Sequence, residues 1–143
     1  MAGIVVGVDG SEGSKRALEW AAGEAKLRRL PLTALLAWQW PTGIYGAGWM
    51  GVTPEVAEDL RKAAERRLEE TCAAVAPALE GVEVTRSVVE GPPAQALLQA
   101  AEDADLLVVG TRGHGGFVGL LLGSVSQQCA THSPCPIVIV PQR

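Results

Sequence analysis

Apolar positions along this chain follow two patterns: short unbroken runs, and long stretches where they recur every three or four residues. Ile4 to Val8, Leu32 to Trp38, Asp105 to Val109 and Ile137 to Val140 are of the first kind. Such continuous apolarity predicts strands buried on both faces, as in a parallel sheet. Val82 to Val89 alternates more and predicts a less buried strand. Between these runs the period changes. Ser11 is placed to cap a helix reaching about Arg29, with Ala17, Leu18, Ala21, Ala22 and Ala25 on its apolar face. Thr53 followed by Pro54 marks a second helix start. Its stripe runs through Val56, Leu60, Ala64, Leu68, Cys72, Val75 and Leu79 until Gly81 stops it. Glu90-Gly91-Pro92-Pro93 turns into a short helix through Leu97, Leu98 and Ala101, and a last helix runs from Ser124 to about Thr131. Residues 39 to 52 form a glycine-rich loop that carries Trp40, Tyr45 and Trp49.

Strands alternating with helices predict βαβ units. The expected fold is an α/β single domain over residues 1 to 143, an open five-stranded parallel sheet with helices on both faces. In such sheets ligands sit beyond the strand C-terminal ends, where the strand order reverses. With the order 3-2-1-4-5, strands one and four are neighbours, and Asp9 and Gly110 face one crevice.

Composition narrows the function classes. A net charge of −4 argues against a general nucleic-acid or membrane-surface binder, since both need a basic face. No apolar run approaches the ~20 residues that cross a bilayer. No basic n-region precedes the first strand, so no signal peptide is expected and the expected location is cytoplasmic. Cys72, Cys129 and Cys135 are odd in number and suit a reducing compartment, as buried core thiols. A Cys129-His132-Cys135 metal site would lack a visible fourth ligand.

The chemistry concentrates after the fourth strand, in Gly110-Thr111-Arg112-Gly113-His114-Gly115-Gly116 and Gly123-Ser124-Val125-Ser126. Glycine lets backbone N–H groups approach a polyanion closely. A helix N-terminus adds unpaired donors and the positive end of the macrodipole. Strand, glycine loop and serine-led helix make a phosphate cradle, and Ser124 with Gln127 fits a capping box. A Walker loop is excluded because no lysine follows Lys62. Gly7 to Gly13 lacks the dinucleotide spacing. Gly123-Ser124-Val125-Ser126-Gln127 lacks the second glycine of a nucleophile elbow.

The remaining spacing, Gly110-x2-Gly113-x9-Gly123-Ser124, resembles that of universal stress proteins of the ATP-binding subclass. The resemblance extends to Val6-Gly7-Val8-Asp9-Gly10-Ser11, to Ala104 through Gly110, and to Ser133 through Val140. It implies a Rossmann-like, adenine nucleotide alpha hydrolase-like fold and an ATP-binding stress-response regulator, with Mg2+ or Mn2+ beside the nucleotide. It further implies Asp9 near the ribose or a bound metal, with Gly7 allowing close approach, and the Ala37 backbone at the adenine edge. Gly110, Gly113 and the His114 N–H would contact ribose and phosphates. Gly123, Ser124, Val125 and Ser126 would cradle the phosphate chain. It also implies a homodimer through Ile137 to Val140, since an unpaired apolar edge is a liability.

Several assignments stay open at this level. Asp9 is equally at home as a turn residue, and Arg112 reaches phosphate or pairs at the surface. His114 lies where the motif uses backbone, and His132 reads as structural or exposed. Lys15, Arg16, Arg28, Arg29 and the cluster from Arg61 to Arg67 read as solvated helix faces. Phosphoryl transfer needs metal ligands, a positioned base or water, and charge neutralisation. No catalytic residue is assigned, and slow ATP hydrolysis or autophosphorylation is the most that the sequence predicts. The alternatives are a nucleotide-free dimeric scaffold and, by fold analogy, a flavodoxin-like electron carrier.

Overall fold

A computed structural model describes residues 3–39, 53–111 and 122–142. Arg112, Gly113, His114, Trp40, Tyr45 and Trp49 lie outside the described residues. The elements in chain order are β1 (Ile4–Gly7), α1 (Glu12–Arg28), β2 (Leu32–Trp38), α2 (Pro54–Ala74) and α3 (Ala76–Leu79). Then follow β3 (Val84–Glu90), α4 (Pro93–Ala101), β4 (Leu106–Gly110), α5 (Ser124–His132) and β5 (Ile137–Val140).

The five strands form one sheet in the order β3-β2-β1-β4-β5. All of its pairings are parallel, as the unbroken apolar runs predict. Alternate residues of each strand enter opposite layers. Ile4, Val6, Leu32, Ala34, Leu36, Leu106 and Val108 join the apolar faces of α1 and α2 in one core. Val5, Leu35, Leu107 and Val109 join Ala94, Leu97, Ala101 and Cys129 in the other, under α4 and α5. β3 is an edge strand with none of its residues buried, which accounts for its mixed sequence pattern.

The helix starts follow their caps. Ser11 Oγ accepts the Ser14 N–H at 3.1 Å and Thr53 Oγ1 accepts the Val56 N–H at 3.2 Å. α1 ends at Arg29, which takes the left-handed conformation (φ 57°) that closes many helices.

Three expectations need correction. The long helix does not continue to Leu79. It breaks at Val75, because Pro77 has no N–H to offer the Ala73 carbonyl and its ring crowds that group. The third strand begins at Val84 rather than Val82, whose N–H instead closes a turn onto the Leu79 carbonyl at 3.0 Å. The capping box at Ser124 does not form. Gly123 occupies the cap position, its carbonyl accepts the Gln127 N–H at 2.9 Å, and no side chain caps α5.

Candidate functional site

Two chain segments meet at the C-terminal edge of the sheet centre. β1 and β4 are adjacent, with Val6 level with Val108, so the turn after β1 and the end of β4 open onto the same crevice. Gly10 has φ +86°, a left-handed conformation that favours glycine. It lets Asp9 fold back, and Asp9 Oδ1 accepts the Ser11 N–H at 2.9 Å. This Asx turn delivers the chain into α1. Asp9 is therefore a half-buried turn residue at the C-terminal edge of the sheet.

Gly110 ends β4 against the start of α1. A Cβ there would stand 3.1 Å from the Gly13 carbonyl oxygen, backbone against backbone. Only glycine lets these two segments approach so closely. Gly7 has a different neighbour. A Cβ on it would lie 2.9 Å from the Leu97 side chain, so its smallness lets α4 pack against the sheet.

The start of α5 is tied to the end of β4 by two bonds, and a third ties Thr111 to β5. The Ser126 hydroxyl donates to the Gly110 carbonyl, and Ser126 is itself buried. The Gly123 N–H donates to the Thr111 carbonyl at 2.7 Å, and the Thr111 N–H donates to Val140 at 3.1 Å. The first turn of α5 is thereby held over the Gly110 end of β4. Ser124 is exposed and Val125 half-buried there. The first N–H groups of any α-helix lack intrahelical acceptors, and here no side chain replaces them.

Ala37 stands near the end of β2, level with Val89 of β3. The β1–β2 register stops at Gly7 and Leu35, and the Leu35 carbonyl accepts the Val8 N–H at 2.8 Å. Strand alternation turns the Ala37 N–H and C=O to that same side, one step beyond the last β1–β2 bond. The structure thus brings together Asp9, Gly110, Gly123, Ser124, Val125 and Ser126 around the crevice, with the Ala37 backbone at its β2 side.

Arg67 belongs to the cluster that the sequence reads as a solvated helix face. It lies on α2 and is exposed, as a solvated face would require. Yet its Cδ and Cγ stand 2.8 and 3.0 Å from the place a Gly10 Cβ would take. The other helix cations behave as expected. Lys15 pairs with Glu12, Arg28 with Glu24, and Arg61 with Glu58 and Glu65. These pairs hold the Glu12 and Glu58 carboxyls below their usual range, chiefly through hydrogen bonds from Lys15 and Arg61.

Among the described residues no three His, Cys, Asp or Glu gather to hold a metal ion. A divalent cation at this crevice would be one that phosphate oxygens largely coordinate, with Asp9 as a single carboxylate donor; hard cations accept such mixed oxygen sets. Cys129 is fully buried, and burial pushes its thiol up to about 11. His132 is exposed at the end of the same helix. No helix among the described residues is long and apolar enough to cross a membrane.

The chain is similar to known proteins along nearly its whole length. It is 38% identical over 140 residues to a universal stress protein of Thermus aquaticus, covering 96% of each chain. It is 37% identical over 136 residues to one of Mycobacterium tuberculosis, covering 95% of this chain but 44% of that protein. It therefore spans less than half the length of the mycobacterial relatives it matches. Among solved structures, the universal stress protein UspA from Lactobacillus plantarum superimposes with a TM-score of 0.79 over 96% of this chain at 21% identity, a likeness of fold. A universal stress protein crystallised in complex with cAMP is 30% identical, covers 100% of this chain and 98% of its own, and has a TM-score of 0.64. The universal stress protein family model matches residues 2–141; the chain belongs to the universal stress protein family.

Proposed function

We propose that this protein binds an adenine nucleotide, ATP with Mg2+ or Mn2+, in the crevice above β1 and β4, and that its regulatory output depends on occupancy. The carrying observation is the Ser126 to Gly110 bond, which holds an uncapped helix start over the end of β4. Helix N-termini so placed favour anions. The Gly110-x2-Gly113-x9-Gly123-Ser124 spacing supports the same reading, and the similar protein solved with cAMP holds an adenine nucleotide. In this reading the N–H groups of Ser124, Val125 and Ser126 face phosphate, Gly110 and Gly113 with the His114 N–H line the ribose and phosphates, and the Ala37 backbone meets the adenine edge. Gly123 contributes shape, since its own N–H is held by Thr111. Asp9 binds ribose or the nucleotide's metal ion.

The proposed role is binding, with any turnover slow, below about 1 per second. Thermal unfolding with and without ATP and Mg2+ tests the reading. Selective binding to the folded state adds about 2.7 kcal/mol at a hundredfold excess over Kd. An unfolding midpoint indifferent to millimolar ATP would overturn the proposal.

A further inference from the structure

Three described helix cations form ion pairs along their own helix, and Arg67 does not. Lys15, Arg28 and Arg61 each bond a carboxylate three or four residues away. Arg67 has Glu70 one turn on, at a spacing that suits such a pair. No ion pair forms between them. The side chain instead lies across Gly10, with Nε 3.5 Å from the place of a Gly10 Cβ. Ala64 and Leu68 anchor this part of α2 in the core, so the position of Arg67 against the β1–α1 turn is set by packing. The turn it covers is the one that presents Asp9.

We propose that Arg67 is a specificity-determining residue of the nucleotide site, whose guanidinium at the crevice rim meets phosphate charge and makes affinity rise with phosphate number. The inference rests on the nucleotide reading above. Arg67, on α2, lies across the turn that presents Asp9 and so brings a cation to that end of the sheet. Guanidinium suits that task because it stays charged and presents several donors to phosphate oxygens. The methylene stem has a separate role, covering the Gly10 backbone.

Arg67→Met separates the two roles, since it keeps an unbranched stem and removes the charge. Titration calorimetry of wild type and variant with ATP, ADP, AMP and adenosine, each with Mg2+, reads the result. ATP binding should weaken roughly tenfold, as for loss of one charged hydrogen bond. The loss should shrink through ADP and AMP, with adenosine unchanged, and Arg67→Lys should recover most of it. If Arg67→Met does not fold, Arg67→Gln carries the same comparison. Equal losses for all four ligands, or an unchanged ATP affinity, would sink the assignment while leaving the nucleotide site intact. Wild-type protein that binds none of the four would overturn the site itself, and Arg67's role with it.

Discussion

Single residues in this fold are tuned by what surrounds them. Cys129 is completely buried on the inner side of α5, and desolvation alone raises its thiol from about 9 to about 11. Below pH 9 the thiol is protonated in both folded and unfolded chains and has no effect on the balance. Between about pH 9 and 11 the unfolded chain ionises and the folded chain resists, so stability falls as pH rises. The loss for this group is about 3 kcal/mol at most. Urea unfolding of Cys129→Ala should show a flatter alkaline limb than wild type, on a lower starting stability; parallel limbs would refute the link. Cys72 is shifted the same way by burial, with Arg86 drawing it back. Gly7 and Gly10 show how far residue-level reading reaches. That both positions want glycine was legible as a loop signature. That Gly7 makes room for Leu97 and Gly10 for Arg67 was not, because those partners are remote in sequence.

Elements depend on their ends. Two of the caps, Ser11 and Thr53, were readable because a polar residue directly precedes an amphipathic period. Ser124 misled for a local reason: the extended backbone of Gly123 takes the cap position and leaves the serine as the first helical residue. Pro77 was overlooked because Val75 and Leu79 continue the apolar stripe on both sides of the break. At the site the decisive side chain is Ser126. Ser126→Ala would remove this donor from the half-buried Gly110 carbonyl, at a cost of about 1 kcal/mol. Its α5 should then sit less firmly on β4. Nucleotide affinity and thermal midpoint should fall together, whereas Ser124→Ala, at an exposed position, should leave the midpoint almost unchanged. Equal midpoints for the two variants would show that the Ser126 bond contributes little.

At the scale of the molecule, the strand order was legible because all central strands are apolar throughout and each is followed by a helical period. Asp9 and Gly110 converge for that reason alone: β1 lies beside β4. The edges are less determined. Among the described residues β5 pairs only with β4, and Ile137, Val138 and Ile139 remain half-buried. We expect the outer edge of β5 to pair with a second copy, in line with the dimer that the resemblance implies. Light scattering of the chain lacking residues 136 to 143 should report monomer or aggregate; a retained dimer would place the interface elsewhere.

The bond between Gly123 and Thr111 has a consequence for variation. It ties the residue after β4 to the residue before α5, so the two chain ends between residues 111 and 123 are held together. The entropic cost of a loop on a closed stem grows only logarithmically, about 0.6 kcal/mol for each doubling of its length. Insertions between those stems should therefore weigh little on folding. Natural selection can change the length of this segment while β4, α5 and the sheet beneath them stay as they are.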